Sequence, residues 1–137
     1  MPFKIVNFLF LSFVVAFSSA VYSGAAIKEH GHKTLHGGVI QETEGLHAEF
    51  LLDKSGEPKL YLYDKTMKPL EKTDLQARLA IKGRDGAQES RDLKAFKDPK
   101  EGIVYKGEPI KGFKDWNSAA VSIKVKDRWV HFQFSHH

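Results

Sequence analysis

Period-two alternation in the C-terminal region is the feature that most limits what this chain can become. Ala119, Val121, Ile123 and Val125 alternate with Ser118, Ala120, Ser122 and Lys124. After a turn at Lys126-Asp127, Val130, Phe132 and Phe134 alternate with Trp129, His131 and Gln133. Successive side chains on a strand point to opposite faces, so each run offers one apolar face to a core and one polar face to solvent. Two such runs joined by a short turn predict an antiparallel hairpin.

The same period recurs upstream. In residues 46–52, Leu46, Ala48, Phe50 and Leu52 share a face opposite His47, Glu49 and Leu51. A turn at Asp53-Lys54-Ser55-Gly56-Glu57-Pro58 leads into residues 59–64, where Leu60 and Leu62 oppose Tyr61 and Tyr63. That is a second hairpin. Residues 75–82 alternate again, with Leu75, Ala77, Leu79 and Ile81 inward. Residues 87–95 are polar enough to read as an edge strand, where charge deters pairing with other molecules. Short strands at 39–41 and 103–106 and a loop over 107–117 complete the pattern. No segment after residue 20 has a sustained helical period. The prediction is all-β: an immunoglobulin-like β-sandwich of seven or eight strands, with a small closed β-barrel as the alternative.

Composition sets the compartment. A short positive start, Met1–Lys4, precedes IVNFLFLSFVVAF and then Ser18-Ser19-Ala20. This is the order of a secretory signal peptide, and the apolar stretch is short for a bilayer span. The expected organisation is a signal peptide over 1–20, cut after Ala20, a flexible His-containing arm over 21–35 and the β-sandwich domain over 36–137. The mature chain would then carry no membrane span, and the protein would be periplasmic or secreted. The sequence has no cysteine, so apolar packing must hold the fold without disulfides. The net charge of +4 comes from lysines interleaved with acids. Alternating signs describe solvated strand faces, and nucleic acid is not expected as a partner.

Enzyme signatures are missing: the sequence has no nucleophile elbow, phosphate loop, dinucleotide fingerprint or zincin helix motif. The expectation is a protein that is not an enzyme. Concentrated chemistry resides in the histidines. His30, His32 and His36 are closely spaced, and His47 and Glu49 share a strand face. Side chains at i and i+2 start about 6.5–7 Å apart, so they can meet on one ion with help from a neighbouring strand or loop. His36, beside the Gly37-Gly38 turn, could supply that help, as could His131 on the last strand. The candidate metal ligands are therefore His36, His47, Glu49 and His131. Imidazole and carboxylate donors suit copper, zinc or nickel, and binding needs neutral imidazole, so affinity should fall as pH drops through the histidine range. The plainer readings are solvated arm residues for His30 and His32, half-exposed strand residues for His47 and His131, and Glu49 paired to a lysine across the sheet. His136 and His137 read as a polar tail.

A resemblance adds to this. Residues 36–70 contain His36-Gly37-Gly38 before the first strand, His47-Ala48-Glu49-Phe50, Tyr61-Leu62-Tyr63-Asp64, and a turn at Lys68-Pro69. In these motifs the segment resembles the β-domain of periplasmic proteins associated with heavy-metal efflux. It is similar to the N-terminal extension of some adaptor (membrane-fusion) subunits of cation-efflux pumps. The resemblance implies a β-sandwich that binds or handles metal cations in the periplasm, with an envelope efflux component as a partner. The adaptor's coiled-coil and barrel domains have no counterpart here, so it implies a stand-alone accessory protein. The other expectation is a non-catalytic envelope protein-interaction or structural module, contacting a partner through Tyr61, Tyr63 and Trp129. An inhibitor presenting Phe113 and Trp116 on the 107–117 loop is a third.

Overall fold

The computed structural model describes residues 34–113 and 115–136. The expected signal peptide, most of the 21–35 arm, and His30 and His32 lie outside the described residues. The described chain forms β1 (Val39–Thr43), β2 (Leu46–Leu52), β3 (Pro58–Tyr63), β4 (Gln76–Gly83), β5 (Gln88–Asp98), β6 (Gly102–Lys106), β7 (Trp116–Val125) and β8 (Arg128–Ser135). All the ladders are antiparallel. The predicted hairpins are β2–β3, with Ala48 opposite Leu62 and Phe50 opposite Leu60, and β7–β8, with Val121 opposite Phe132.

The strands make one sheet in the order β1-β2-β3-β6-β5-β4-β7-β8, wrapped into a nearly closed barrel. This corrects the expected sandwich, and β5 is the physical reason. Its first half, Gln88 to Leu93, pairs with β4, while Lys94 to Asp98 pair with β6. One long strand thus turns the corner and hydrogen-bonds the two groups of strands into a continuous sheet. A sandwich would leave them facing each other unjoined. β5 is consequently central, although its polar sequence suggested an edge. Leu93 points into the core, Asp92 and Lys94 lie on the opposite face, and Glu89 and Arg91, which share the face of Leu93 by register, pair with each other. The ends of the order, β1 and β8, lie side by side. An Arg128–Glu44 ion pair spans them.

Inward residues fill the barrel. Phe50, Trp116 and Phe134 form its aromatic centre, with ring centroids 5.3 Å apart for Phe50–Trp116 and 5.5 Å for Phe50–Phe134. Leu60, Leu79, Ile81, Val121, Ile123 and Phe132 surround them. The 107–117 segment contributes Ile110, Phe113 and Trp116 to this core. Those aromatic side chains are therefore withdrawn from the surface that an inhibitory loop would need.

A second, smaller cluster lies on the outside of the sheet. Tyr61, Tyr63 and Val104 are buried there, with Leu51 and Met67 packed against them. The pairing of β3 with β6 covers only Lys59 and Leu60. Beyond that point the 64–70 loop folds back on β3: the Leu70 N–H donates to the Leu62 carbonyl at 3.0 Å, and Tyr63 bridges Pro69. Asp64 braces this loop by accepting from the N–H groups of Thr66 and Lys68 and from the Thr66 hydroxyl. The outer face of β2 and β3 is thereby covered, and His47 and Glu49 sit beneath that cover.

Candidate functional site

Glu49 occupies the centre of the covered face. It lies on the non-core side of β2, as alternation requires, yet it is fully buried. A buried carboxylate is tolerated only when its lone pairs are met by donors, and here they are. Oε2 accepts the backbone N–H of His36 at 2.9 Å and that of Gly38 at 2.8 Å. Oε1 lies 3.0 Å from the His36 Nδ1 and accepts the Tyr63 hydroxyl at 3.3 Å. Burial opposes ionisation, but the Gly38 N–H, the His36 ring and the His36 N–H outweigh it and hold the carboxyl below its ordinary range.

The His-Gly-Gly sequence explains how two main-chain donors reach one oxygen. Gly37 adopts a left-handed conformation, φ +79°. This aims the flanking N–H groups of His36 and Gly38 into one concavity, as in backbone anion nests. Gly38 has a different reason to be glycine: a Cβ there would sit 2.5 Å from the Phe50 carbonyl oxygen and 3.0 Å from the Glu49 Cγ. The motif is thus a cradle for the carboxylate of β2, and it fastens the incoming chain to the barrel.

The cradle also fixes His36. Its ring stacks on Tyr61 with centroids 3.6 Å apart and planes within 5°. Because the ionised Glu49 can only accept, the His36 Nδ1 carries the proton on that bond. The Tyr63 hydroxyl, 3.2 Å from the same nitrogen, therefore directs its own proton to Glu49. Among the described residues no hydrogen bond uses the His36 Nε2. The ring borders a cleft of about 220 Å³ lined also by Leu35, Tyr61, Tyr63, Pro69 and Glu101. Tyr61 donates to Glu101. Both tyrosines are held protonated, Tyr61 by burial and then by Glu101, and Tyr63 by burial and then by Glu49.

The other expected ligands go elsewhere. His47 is also buried, but its Nδ1 donates to the Asp64 carbonyl at 3.1 Å, and its Nε2 lies 3.5 Å from Glu42. His131 is exposed on β8, with its Nδ1 2.9 Å from the Ser122 hydroxyl across the β7–β8 ladder. The structure brings together His36 and Glu49, and their bonds to one another involve neither His47 nor His131. Among the described residues no group of three or more His, Asp or Glu side chains forms a ready metal centre. The expected pairing of Glu49 with a cross-sheet lysine is replaced by the cradle. The partner-contact reading loses Tyr61 and Tyr63, both buried, and keeps Trp129, which is 39% exposed. Sequence reasoning passed over Glu101, which belongs to a turn remote in sequence. It also passed over the Tyr63 hydroxyl, because tyrosine on a strand reads first as packing.

Comparison with known proteins returns no matching family model, no matching curated protein and no matching solved structure.

Proposed function

We propose that this is an exported, non-catalytic accessory protein that binds a metal cation through His36, in the setting of heavy-metal efflux or resistance. The observation that carries the reading is the His36–Glu49 bond. Histidines that ligate metals donate their second ring nitrogen to a carboxylate or carbonyl, which fixes the tautomer and raises the basicity of the ligating nitrogen. Here Nδ1 is engaged by a buried carboxylate. The neutral ring then presents its lone pair on Nε2. In this reading Glu49 orients the ligand and does not touch the ion, since donors already occupy both of its oxygens. His47 and His131 take no part. His30 and His32 remain candidates for additional ligands by sequence alone.

The test is calorimetric titration of the untagged protein with Zn(II), Ni(II), Cu(II) and, anaerobically, Cu(I). The expected result is one saturable site lost in His36→Ala and retained in His47→Ala and His131→Ala. Titrations without heat, or binding that survives His36→Ala, would overturn the reading.

A further inference from the structure

The cleft beside His36 holds a second donor in a matching state. Glu101 lies in the turn between β5 and β6, and Asp98 sets that turn by accepting the N–H groups of Lys100 at 2.7 Å and Glu101 at 3.0 Å. The Tyr61 hydroxyl donates to the Glu101 Oε2. Among the described residues no hydrogen bond uses Oε1. Glu101 and His36 are therefore alike: one donor atom of each is engaged, the other carries no bond among the described residues, and both side chains line the same cleft. Tyr61 links them, with its ring under the imidazole and its hydroxyl on the carboxylate.

We propose that Glu101 is the second metal ligand of this protein, paired with His36 to hold a divalent zinc- or nickel-class cation and to discriminate against the cuprous ion. The inference rests on His36 being a ligand. Ligating carboxylates are themselves hydrogen-bonded, and Tyr61 supplies that bond here. Lys100 and Glu101 balance on the cleft wall, and the buried Glu49 behind the His36 ring adds a negative charge that favours a cation. One imidazole and one carboxylate make a nitrogen–oxygen set of borderline and hard donors. Such a set suits divalent first-row ions at about 2.0–2.2 Å. The cuprous ion favours sulfur, and this sequence has no cysteine. The thioether of Met67 packs with the Tyr61–Tyr63 cluster. Glu101 is exposed, so its side chain can turn onto an ion, and the open cleft leaves room for water to fill the remaining positions.

The experiment compares wild type, His36→Ala and Glu101→Gln by Zn(II) calorimetry, with Co(II) as a spectroscopic probe and anaerobic Cu(I) as the counter-ion. Glutamine keeps an oxygen for the Tyr61 hydroxyl, and amide fingerprint spectra check that each variant is folded. The expected result is a loss of at least tenfold in Zn(II) affinity in E101Q. Hyperfine-shifted Glu101 side-chain resonances should appear in the Co(II) form, and Cu(I) should bind more weakly than Zn(II). If E101Q binds Zn(II) like wild type while His36→Ala does not, the inference fails and the His36 reading stands. Glu101 resonances unmoved by Co(II), or tighter binding of Cu(I), would also overturn the inference. If binding never depends on His36, both fall.

Discussion

Replacing Glu49 by glutamine isolates what the buried carboxylate contributes. The amide oxygen can take the place of Oε2 and keep the N–H bonds from His36 and Gly38, now 2.9 and 2.8 Å long. Its NH₂ group must then take the place of Oε1, facing the His36 Nδ1 and the Tyr63 hydroxyl. Two donors cannot face each other, so Nδ1 has to become an acceptor and the ring proton moves to Nε2. Hydrogen bonds to a charged group contribute about 1.5–3 kcal/mol and neutral ones about 0.5–1.5. Loss of charge assistance from the two backbone bonds should therefore cost about 2–3 kcal/mol. A domain with roughly 5–15 kcal/mol of stability survives that. The lone pair at Nε2 is nevertheless gone in the resting ring, and recovering it on metal binding should lower affinity about 10–100-fold. Urea melts measure the first quantity, Zn(II) calorimetry the second, and long-range ¹H–¹⁵N correlation reads the tautomer directly. Wild-type His36 protonated on Nε2 in its neutral form, or a folded Glu49→Gln variant with unchanged affinity, would refute the reasoning.

Other perturbations test separate parts of the structure. Gly38→Ala forces a Cβ against the Phe50 carbonyl, and urea melts should show a loss of about 1–3 kcal/mol from the displaced backbone. Phe50→Ala removes the side chain that contacts both Trp116 and Phe134. It should cost about 3–5 kcal/mol by the same assay. The Arg128–Glu44 pair is exposed on both sides, so Arg128→Ala should lower stability by less than about 1 kcal/mol, an effect that added salt reproduces. The Glu49 carboxyl is held below its ordinary value of 4.5. The unfolded chain therefore binds that proton at higher pH than the folded one. The stabilisation is complete above that value and is lost as pH falls through the lower folded value. Urea midpoints measured from pH 6 downward should decline more steeply for wild type than for Glu49→Gln, and parallel curves would contradict the assignment.

Much of the fold was legible because alternation is a local property. The β7–β8 and β2–β3 hairpins join neighbouring segments through short turns, so sequence order alone fixed their pairing. What alternation leaves open is which distant strands meet. Residues 88–98 show one polar face whether they form an edge strand or a central one. Nothing in their pattern marks Leu93–Lys94 as the place where β5 leaves β4 and takes up β6. Sandwich and barrel differ in those long-range ladders, which is why the sequence favoured the wrong one of two architectures with the same local signal.

Of the site's members, His36 and Glu49 were legible in the sequence, and what closes over them was not. Period two correctly put His47 and Glu49 on the side of β2 away from the core, and that side was taken to be open. It is closed by residues from outside the strand: the 34–38 segment and the 64–70 loop. Covering inverts the chemistry of a carboxylate. An exposed Glu49 could give its lone pairs to an ion, whereas a buried one has to spend them on whatever donors reach it. The glycines carried that information. A flexible turn would explain Gly37-Gly38 equally well by composition, but a hinge requires neither the left-handed φ of Gly37 nor a Gly38 that excludes any Cβ. Together these describe a rigid anion cradle with one protein carboxylate in it. The consequence falls on His36, whose neutral tautomer is set by an acid thirteen residues away in sequence. The cradle thus leaves Nε2 as the ring nitrogen of His36 that no hydrogen bond among the described residues uses.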